Sequence, residues 1–149
     1  PAVEYLAQGG RFGVGTDSNI LINAADELRA IEYSQRLLHR ARAVLATDGA
    51  RNVGTNLFAK AIAGGAQALD ITTGIAVGRS ADIVTLNLEH PAFAGSDDDS
   101  LLDRWIFAGR HGPIASVWRA GHKVVEQGRH VNGDIIAANY RATLTRLLA

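Results

Sequence analysis

Asp17 is the residue of this sequence whose type and position most favour chemistry. Residues 11–16 combine apolar side chains with glycines and predict a short buried strand. Asp17 follows at the carboxyl end of that strand, which is where α/β proteins collect their ligands. Gly-Thr-Asp-Ser is also a good turn sequence, and Asp17 or Ser18 could cap a helix instead. The sequence therefore offers Asp17 as a candidate catalytic carboxylate, with a turn or a cap as the alternative.

Other residues that could bind a metal or an anion have simpler explanations. The run 97–99 is three aspartates, but consecutive side chains diverge, so a loop that caps the next helix is preferred to a metal site. Arg36, Arg40 and Arg42 suit a solvated helix end, with an anion site as the alternative. We expect the histidines to be surface or structural residues. They are His39, His90, His111, His122 and His130.

Composition excludes several classes of partner. The 149 residues carry 15 basic and 15 acidic side chains, so no net charge favours nucleic acid or an anionic membrane. The sequence has no cysteine and no apolar run of about 18 residues, which leaves out disulfides, thiolate metal sites and membrane spans. We expect a cytoplasmic protein. Because the chain opens at Pro1 inside an expected helix, Ala2–Gln8, and has no methionine, we also expect a piece of a longer polypeptide.

A long helix is predicted after the candidate strand. Asn23 should cap it, and Asp26 and Glu27 should lie in its first turn, where acidic groups suit the helix dipole. Residues at helical spacing predict a buried face that continues to a break at 47–49. That face consists of Leu28, Ile31, Gln35, Leu38, Ala41 and Leu45.

The remaining elements alternate helices with a small set of strands. A second helix should begin near Asn52 and run to Ala63, after which two glycines weaken or end it and residues 66–69 could add another turn. β-branched content and turn signals then predict further elements. These are a strand over 81–86, a helix over 101–108, a hairpin of strands 114–119 and 122–126, and a helix over 134–148 with Ile136, Tyr140, Leu144 and Leu147 on one face. The loop Ala120-Gly121 suits a two-residue hairpin turn.

Three segments, in this order and spacing, resemble the amidohydrolase superfamily. Residues 12–18 resemble its last barrel strand, 74–84 its passage from the barrel into a small β-domain, and 117–125 the terminal hairpin of that domain. Four further segments resemble the formimidoylglutamate deiminases within it. They are 27–37, 64–69, 102–109 and 128–130. The similarity covers nearly all of the chain and corresponds to the C-terminal third of such an enzyme.

The resemblance implies an α/β fold, namely a C-terminal fragment of a (β/α)8 metal-dependent hydrolase barrel plus part of the small β-sandwich domain. It divides the chain into three regions. Residues 1–73 would be the last strand and helices of the barrel, 74–132 a portion of the small β-domain with an inserted helix, and 133–149 a C-terminal helix. A complete barrel needs about 200 residues or more, so this chain cannot contain one.

The resemblance also implies a reaction. Members hydrolyse N-formimidoyl-L-glutamate to N-formyl-L-glutamate and ammonia in histidine degradation, with one divalent metal, usually zinc. Asp17 is then the aspartate that binds this metal and shuttles a proton between the attacking water and the leaving amine. Zinc lowers the pKa of bound water towards 7, and a neighbouring carboxylate can take that proton and hand it on.

The sequence departs from the family pattern where metal binding is concerned. No His-x-His motif is present, and Asp17 alone cannot supply the roughly three protein ligands of a catalytic zinc. We therefore expect the other ligands on a missing N-terminal part of the same enzyme, and an inactive fragment without it. Asn19 stands where relatives often have histidine, and Asp70 where glycine is usual; aspartate tolerates a positive φ. The intact enzyme would bind a small-molecule substrate and could form a homodimer.

Two other functions stay open. The intact protein could be another aminohydrolase of the superfamily that acts on a purine, pyrimidine or triazine ring. The chain could instead be a non-catalytic α/β module that associates with another chain through open strand edges and apolar surface. Exposure of Asp17 on a self-sufficient globule, away from any pocket, would argue against the deiminase.

Overall fold

The computed structural model describes residues 1–18, 20, 22–47, 51–97, 100–110 and 113–149. These residues form two compact units, of which the first contains Pro1–Gly74 and Leu88–His111 and the second Ile75–Asn87 and Gly112–Ala149. The first unit holds helices α1 (Ala2–Ala7), α2 (Ala24–His39), α3 (Val53–Ala68), a 3₁₀ helix (Pro91–Phe93) and α4 (Leu101–Phe107). The second holds strands β1 (Ile83–Leu86), β2 (Ile114–Arg119), β3 (His122–Glu126), β4 (Arg129–His130) and helix α5 (Gly133–Leu148).

Helices α2, α3 and α4 pack on one another and form the core of the first unit. We call these three helices the helix cluster. The aromatic rings of Phe58 and Trp105 meet edge to face, with centroids 5.7 Å apart. The buried apolar residues come from these helices and the segments beside them. They are Ala25, Leu28, Leu45, Val53, Leu57, Ala61, Phe93, Trp105 and Ile106.

Helix α2 begins as predicted and ends earlier than predicted. The side chain of Asn23 accepts a hydrogen bond from the backbone N–H of Ala25 at 3.0 Å, which confirms it as the cap. The helix stops at His39, where Arg40 takes a left-handed conformation with φ of 51°. Leu38 and Ala41 are therefore exposed instead of buried. The predicted continuous face to Leu45 was wrong because the chain folds back after the helix.

The buried carboxylate of Glu32 explains why the chain folds back. It accepts hydrogen bonds from the backbone N–H groups of Val44 and Leu45, both at 3.0 Å. Its third bond comes from Nε of Arg36 at 2.6 Å. The carboxylate thus gives the returning chain the hydrogen bonds that another helical turn would have supplied. Leu45 is buried as predicted, but it reaches the core from this returning segment.

Helix α3 runs five residues past its predicted end at Ala63. It continues through Gly64 and Gly65 to Ala68, so these glycines do not end it and the additional turn forms as part of the same helix. Gly64 is buried, and a Cβ atom there would overlap the backbone of Phe12. The glycine at position 64 is explained by this close backbone approach and not by the end of the helix. After the helix, Asp70 has a φ of 51°, which confirms that aspartate occupies a left-handed position there.

The predicted strand over residues 11–16 does not form. None of these residues is in a strand, and the described strands all belong to the second unit. Strand structure depends on a ladder of hydrogen bonds to a neighbour. Among the described residues, no backbone hydrogen bond joins residues 12–18 to another segment. We call residues 11–18 the Asp17 segment.

The second unit contains an antiparallel sheet in the order β1-β2-β3-β4. The predicted hairpin is confirmed: Trp118 pairs with Lys123, and Ala120 and Gly121 turn the chain with φ values of 48° and 80°. Both residues of a tight two-residue turn need positive φ, which the glycine supplies without strain.

Helix α5 also forms as predicted, but the described residues leave its apolar face exposed. Tyr140 is 65% exposed and Leu147 is 76% exposed, and no residue of the helix is buried.

Among the described residues, no helix is both long enough and apolar enough to cross a membrane.

Candidate functional site

Asp17 lies in a turn, with a φ of 43°, and its side chain is exposed. No described residue donates a hydrogen bond to its carboxylate or pairs with it. Aspartate is one of the residues that adopt a left-handed conformation at small cost, so the turn is compatible with its type. The carboxylate is thus available to a ligand, but the described residues bring no second functional group to it.

Contacts at the beginning of the Asp17 segment fix its position on the first unit. The hydroxyl of Tyr5 donates to the carbonyl oxygen of Arg11 at 2.6 Å and accepts from its N–H at 3.2 Å. The Arg11 guanidinium donates to Oε1 of Gln67 on α3 at 2.9 Å. Helices α1 and α3 therefore hold the segment six residues before Asp17.

A shallow groove of about 730 Å³ lies beside these contacts. Its floor is rich in glycine. It is lined by Tyr5, Gly9, Gly10, Arg11, Phe12, Gly13, Gly64, Gln67 and Ala68. Asp17 is not among these residues, so the groove is not a site built around the candidate carboxylate.

The described residues do not fit a complete zinc site. No group of three or more His, Cys, Asp or Glu side chains among them could hold a metal ion. A catalytic zinc needs about three protein ligands and a water. Asp17 offers one carboxylate of the right chemistry, and the described part of the chain offers no others near it. The site that the sequence predicts is therefore incomplete within these residues.

Four of the five histidines are described, and all four are surface or structural residues, as expected. His39 and His122 are exposed. Nδ1 of His90 accepts the N–H of Ala92 at 3.1 Å and so caps the 3₁₀ helix. Nδ1 of His130 accepts the N–H of Asn132, also at 3.1 Å. His111 lies outside the described residues.

Asp97 and Ser100, at the two ends of the acidic stretch before α4, are hydrogen-bonded to each other. Oδ1 of Asp97 accepts the N–H of Ser100 at 2.9 Å, and the Ser100 hydroxyl accepts the N–H of Asp97 at 3.2 Å. Hydrogen bonds from the side chain and backbone of Ser100 hold the pKa of Asp97 below its usual value. Asp98 and Asp99, which complete the run, lie outside the described residues, as does Asn19.

The arginines at the end of α2 do not form one cluster. Arg36 pairs with buried Glu32, and its guanidinium lies 5.2 Å from the ring centroid of Tyr33 and 5.3 Å from that of Phe107. Arg40 and Arg42 are exposed, as expected for a solvated helix end. The pairing of Arg36 was missed because Glu32 carries no sequence signal that distinguishes a buried carboxylate from a solvated one.

The deiminase-like segment 102–109 supplies structural contacts. The carboxylate of Asp103 accepts a hydrogen bond from the N–H of Gly54 in the first turn of α3. The guanidinium of Arg104 donates to the carbonyl oxygens of Ala92 at 3.2 Å and Ala94 at 3.0 Å. Both charged residues therefore join α4 to its neighbours in the first unit.

Comparison with known proteins decides the family. The sequence model of the amidohydrolase family matches residues 1–124. The chain belongs to the amidohydrolase family. A curated relative, the formimidoylglutamate deiminase of Pseudomonas aeruginosa, is 43% identical over 149 residues, which are 99% of this chain and 33% of the relative. The chain thus spans about a third of the length of that amidohydrolase.

Solved structures give the same result. The amidohydrolase from Brucella melitensis is 46% identical, has a TM-score of 0.90, and is matched over 99% of this chain and 32% of its own. The atrazine chlorohydrolase TrzN from Arthrobacter aurescens TC1, complexed with zinc, is 26% identical with a TM-score of 0.74, over 95% of this chain and 31% of its own. The mixed α/β arrangement with a small antiparallel sheet is therefore that of part of an amidohydrolase.

Proposed function

We propose that the complete polypeptide carrying this sequence is a metal-dependent hydrolase of amidine C–N bonds. Its substrate is N-formimidoyl-L-glutamate, and its products are N-formyl-L-glutamate and ammonia. One observation carries the proposal: identity of 43% to a formimidoylglutamate deiminase extends over 99% of this chain. Because the identity is spread over nearly the whole of this chain and is not confined to one motif, it supports a shared substrate as well as a shared fold.

Asp17 is the proposed catalytic residue of this chain. Its carboxylate would be one ligand of a divalent metal, as suggested by the zinc in a solved relative. It would also take a proton from the attacking water and deliver it to the leaving amine. General acid–base catalysis of this kind contributes about 10²- to 10⁴-fold to a rate. Asp17 is exposed and lies outside the groove, which on a self-sufficient globule would argue against the deiminase. In this proposal the chain is about a third of the enzyme, so the partners that the described residues do not supply to the carboxylate are a ligand and the rest of the polypeptide.

The rest of the site would lie on the remaining two-thirds of the family's length. In this proposal residues 1–73 are the last strand and helices of a (β/α)8 barrel, and the Asp17 segment becomes a strand when barrel neighbours pair with it. Residues 74–132 belong to a small β-sandwich domain and 133–149 are a C-terminal helix. The 149-residue chain by itself would be inactive. A cytoplasmic location and a homodimer remain predictions.

Ammonia release tests the substrate. The complete protein, loaded with zinc, should release one ammonia per formimidoylglutamate consumed and leave N-formylglutamate. Heterocyclic amines, which include aminotriazines and aminopurines, serve as the comparison because the atrazine chlorohydrolase is a structural relative. No release from formimidoylglutamate with zinc or iron present would reject the deiminase, and release from a ring amine would favour the heterocycle hydrolase.

The exposed apolar surface supports the association module as a second candidate. Ile20 and Ile22 are 94% and 83% exposed, and the apolar face of α5 is also open. Surface of this kind drives association. Size-exclusion chromatography of the isolated chain distinguishes the cases: the module predicts a defined complex, whereas a well-behaved monomer would count against it.

A further inference from the structure

The Asp17 segment and α3 approach each other backbone to backbone. Gly64 on α3 is buried, and a Cβ atom placed on it would lie 2.7 Å from the backbone N of Phe12 and closer still to its carbonyl carbon and oxygen. On the other side, a Cβ atom on Gly13 would lie 3.2 Å from Cα of Gly65. Contacts under 3.0 Å do not occur between real atoms of this kind, so any side chain at position 64 must move the segment or the helix.

We propose that Gly64 is a positioning residue for Asp17, and this inference rests on the proposed function. Gly64 lets the Asp17 segment lie directly on α3, five residues before the carboxylate. The segment is also held at Arg11 by Tyr5 and Gln67, so it has few ways to absorb a shift before Gly13. In the complete protein, where the proposed strand is paired on both edges, a displacement at Phe12 would be carried along the strand to Asp17.

The rate of proton transfer depends closely on where the Asp17 carboxylate lies. A carboxylate that moves a proton must lie within hydrogen-bond reach of it, about 2.6–3.2 Å between heavy atoms. A misplacement of about 1 Å at a reacting group can cost about 10²-fold in rate. Gly64 has no side chain and touches no reacting atom, so its effect would act through Asp17.

Gly65 provides a matched control on the same helix. A Cβ atom at Gly65 would meet nothing within 4 Å among the described residues. Gly64→Ala and Gly65→Ala both replace a glycine inside a helix, so they share the gain in helix propensity. Only Gly64→Ala creates a contact with Phe12. A difference between the two variants therefore reports the close approach and not a change in helix stability.

The experiment compares both variants in the complete zinc-loaded protein. For Gly64→Ala we expect kcat for formimidoylglutamate to fall about 10- to 100-fold with KM within about twofold, because proton transfer is impaired and substrate binding is not. Gly65→Ala should keep the original kcat. Amide hydrogen exchange of residues 14–17 should quicken in Gly64→Ala and not in Gly65→Ala. A structural role alone would lower the melting temperature and leave kcat per folded molecule unchanged.

The outcomes test the positioning role of Gly64 separately from the proposed deiminase activity. Equal kcat and equal exchange in the two variants would overturn the positioning role. If the protein of native sequence releases no ammonia, the proposed deiminase fails, and the exchange of residues 14–17 alone decides whether Gly64 positions Asp17. If Gly64→Ala does not fold, Gly13→Ala decides, because its Cβ atom would lie 3.2 Å from Cα of Gly65 and so crowds the approach of the segment to α3 from the segment side. Native kcat and exchange in Gly13→Ala would then contradict the proposal.

Discussion

The helix cluster and the Asp17 segment belong to the same compact unit, yet their polar groups differ in one respect. In the helix cluster the buried carboxylate of Glu32 has three hydrogen bonds, and Asn56 donates to the carbonyl oxygen of Leu45 at 2.5 Å. Among the described residues, no buried side-chain nitrogen or oxygen lacks a partner. Asp17 is exposed, and no described residue binds its carboxylate. The buried polar groups of the helix cluster therefore have their hydrogen-bond partners, whereas the Asp17 carboxylate can still bind a ligand.

The apolar residues differ in a similar way, but less completely. Leu57 and Ile106 of the helix cluster are fully buried, although Leu38 of α2 is 62% exposed. Ile20 and Ile22, shortly after Asp17, are 94% and 83% exposed. Burying a large aliphatic side chain is worth about 1.5–3 kcal/mol. Exposed isoleucines beside a candidate catalytic residue therefore indicate surface that further polypeptide would cover. Because the chain spans about a third of its curated relative, the family's remaining length is the proposed cover.

The largest effect is expected for Asp17→Asn in the complete protein. The amide keeps the size of the carboxylate but cannot accept and deliver a proton, so kcat should fall about 10²- to 10⁴-fold. Without added zinc, the melting temperature should change little, because no described residue binds the Asp17 carboxylate. Ammonia release and thermal denaturation measure the two quantities. Asp134→Asn, which alters an exposed pair with Arg129 on another unit, is the control that should keep full activity.

Glu32→Ala should have the largest effect on stability. It leaves the guanidinium of Arg36, which is 32% exposed, and the N–H groups of Val44 and Leu45 without their acceptor. A buried donor left unsatisfied costs about 1–3 kcal/mol. Urea denaturation of the chain, followed by fluorescence of Trp105 in a Trp118→Phe background, measures this free energy. Exposed Glu4→Ala should stay within about 0.5 kcal/mol, and an equal loss in both variants would contradict the account.

Asp103→Ala should have a smaller effect. The Asp103 carboxylate accepts the N–H of Gly54 and so caps α3 from the neighbouring helix. Loss of a cap costs about 1 kcal/mol, which the same denaturation experiment can resolve. Gly54→Ala should also destabilise the chain, since its Cβ atom would lie 2.7 Å from the backbone N of Asp103. Unchanged stability in both variants would show that the two helices do not meet as described.

The smallest effect concerns Asp82 in the second unit. A hydrogen bond from the N–H of Ala120 at 2.7 Å, aided by the Ser80 hydroxyl, holds the pKa of Asp82 below its ordinary value. Because the folded pKa is depressed, the stability it contributes is present above the unfolded pKa of about 3.9 and is lost as pH falls through the folded pKa. The amide proton signal of Ala120 should therefore shift below about pH 4, and Asp82→Asn should abolish that shift.

Local signals predicted the elements that local chemistry fixes. The Asn23 cap, the Ala120-Gly121 turn and the strand pair that it joins depend on neighbouring residues, and the structure confirms all three. The end of α2 was wrong because it depends on Glu32 and a segment 12 residues later, which no periodicity reveals. The continuity of α3 through Gly64 was not predicted, because a glycine indicates a helix break unless the backbone that packs against it, here that of Phe12, is known.

The candidate site was predicted in residue type more fully than in geometry. Asp17 stood out because a polar group follows glycines and apolar residues, and the resemblance supplied a role. The predicted strand and its pocket depend on strands that the described residues do not contain, so the structure brings neither to Asp17. The structure leaves Asp17 exposed, and its role in chemistry stays a prediction that contacts beyond these residues would decide.

The most direct test is a crystal structure of the complete protein with zinc, phased by anomalous scattering at the zinc edge. The account predicts a zinc ion with a carboxylate oxygen of Asp17 at about 2.0–2.2 Å. It also predicts that the Asp17 segment is then a strand with neighbours on both edges. A fully bound zinc ion far from Asp17, with that side chain still facing solvent, would contradict the account.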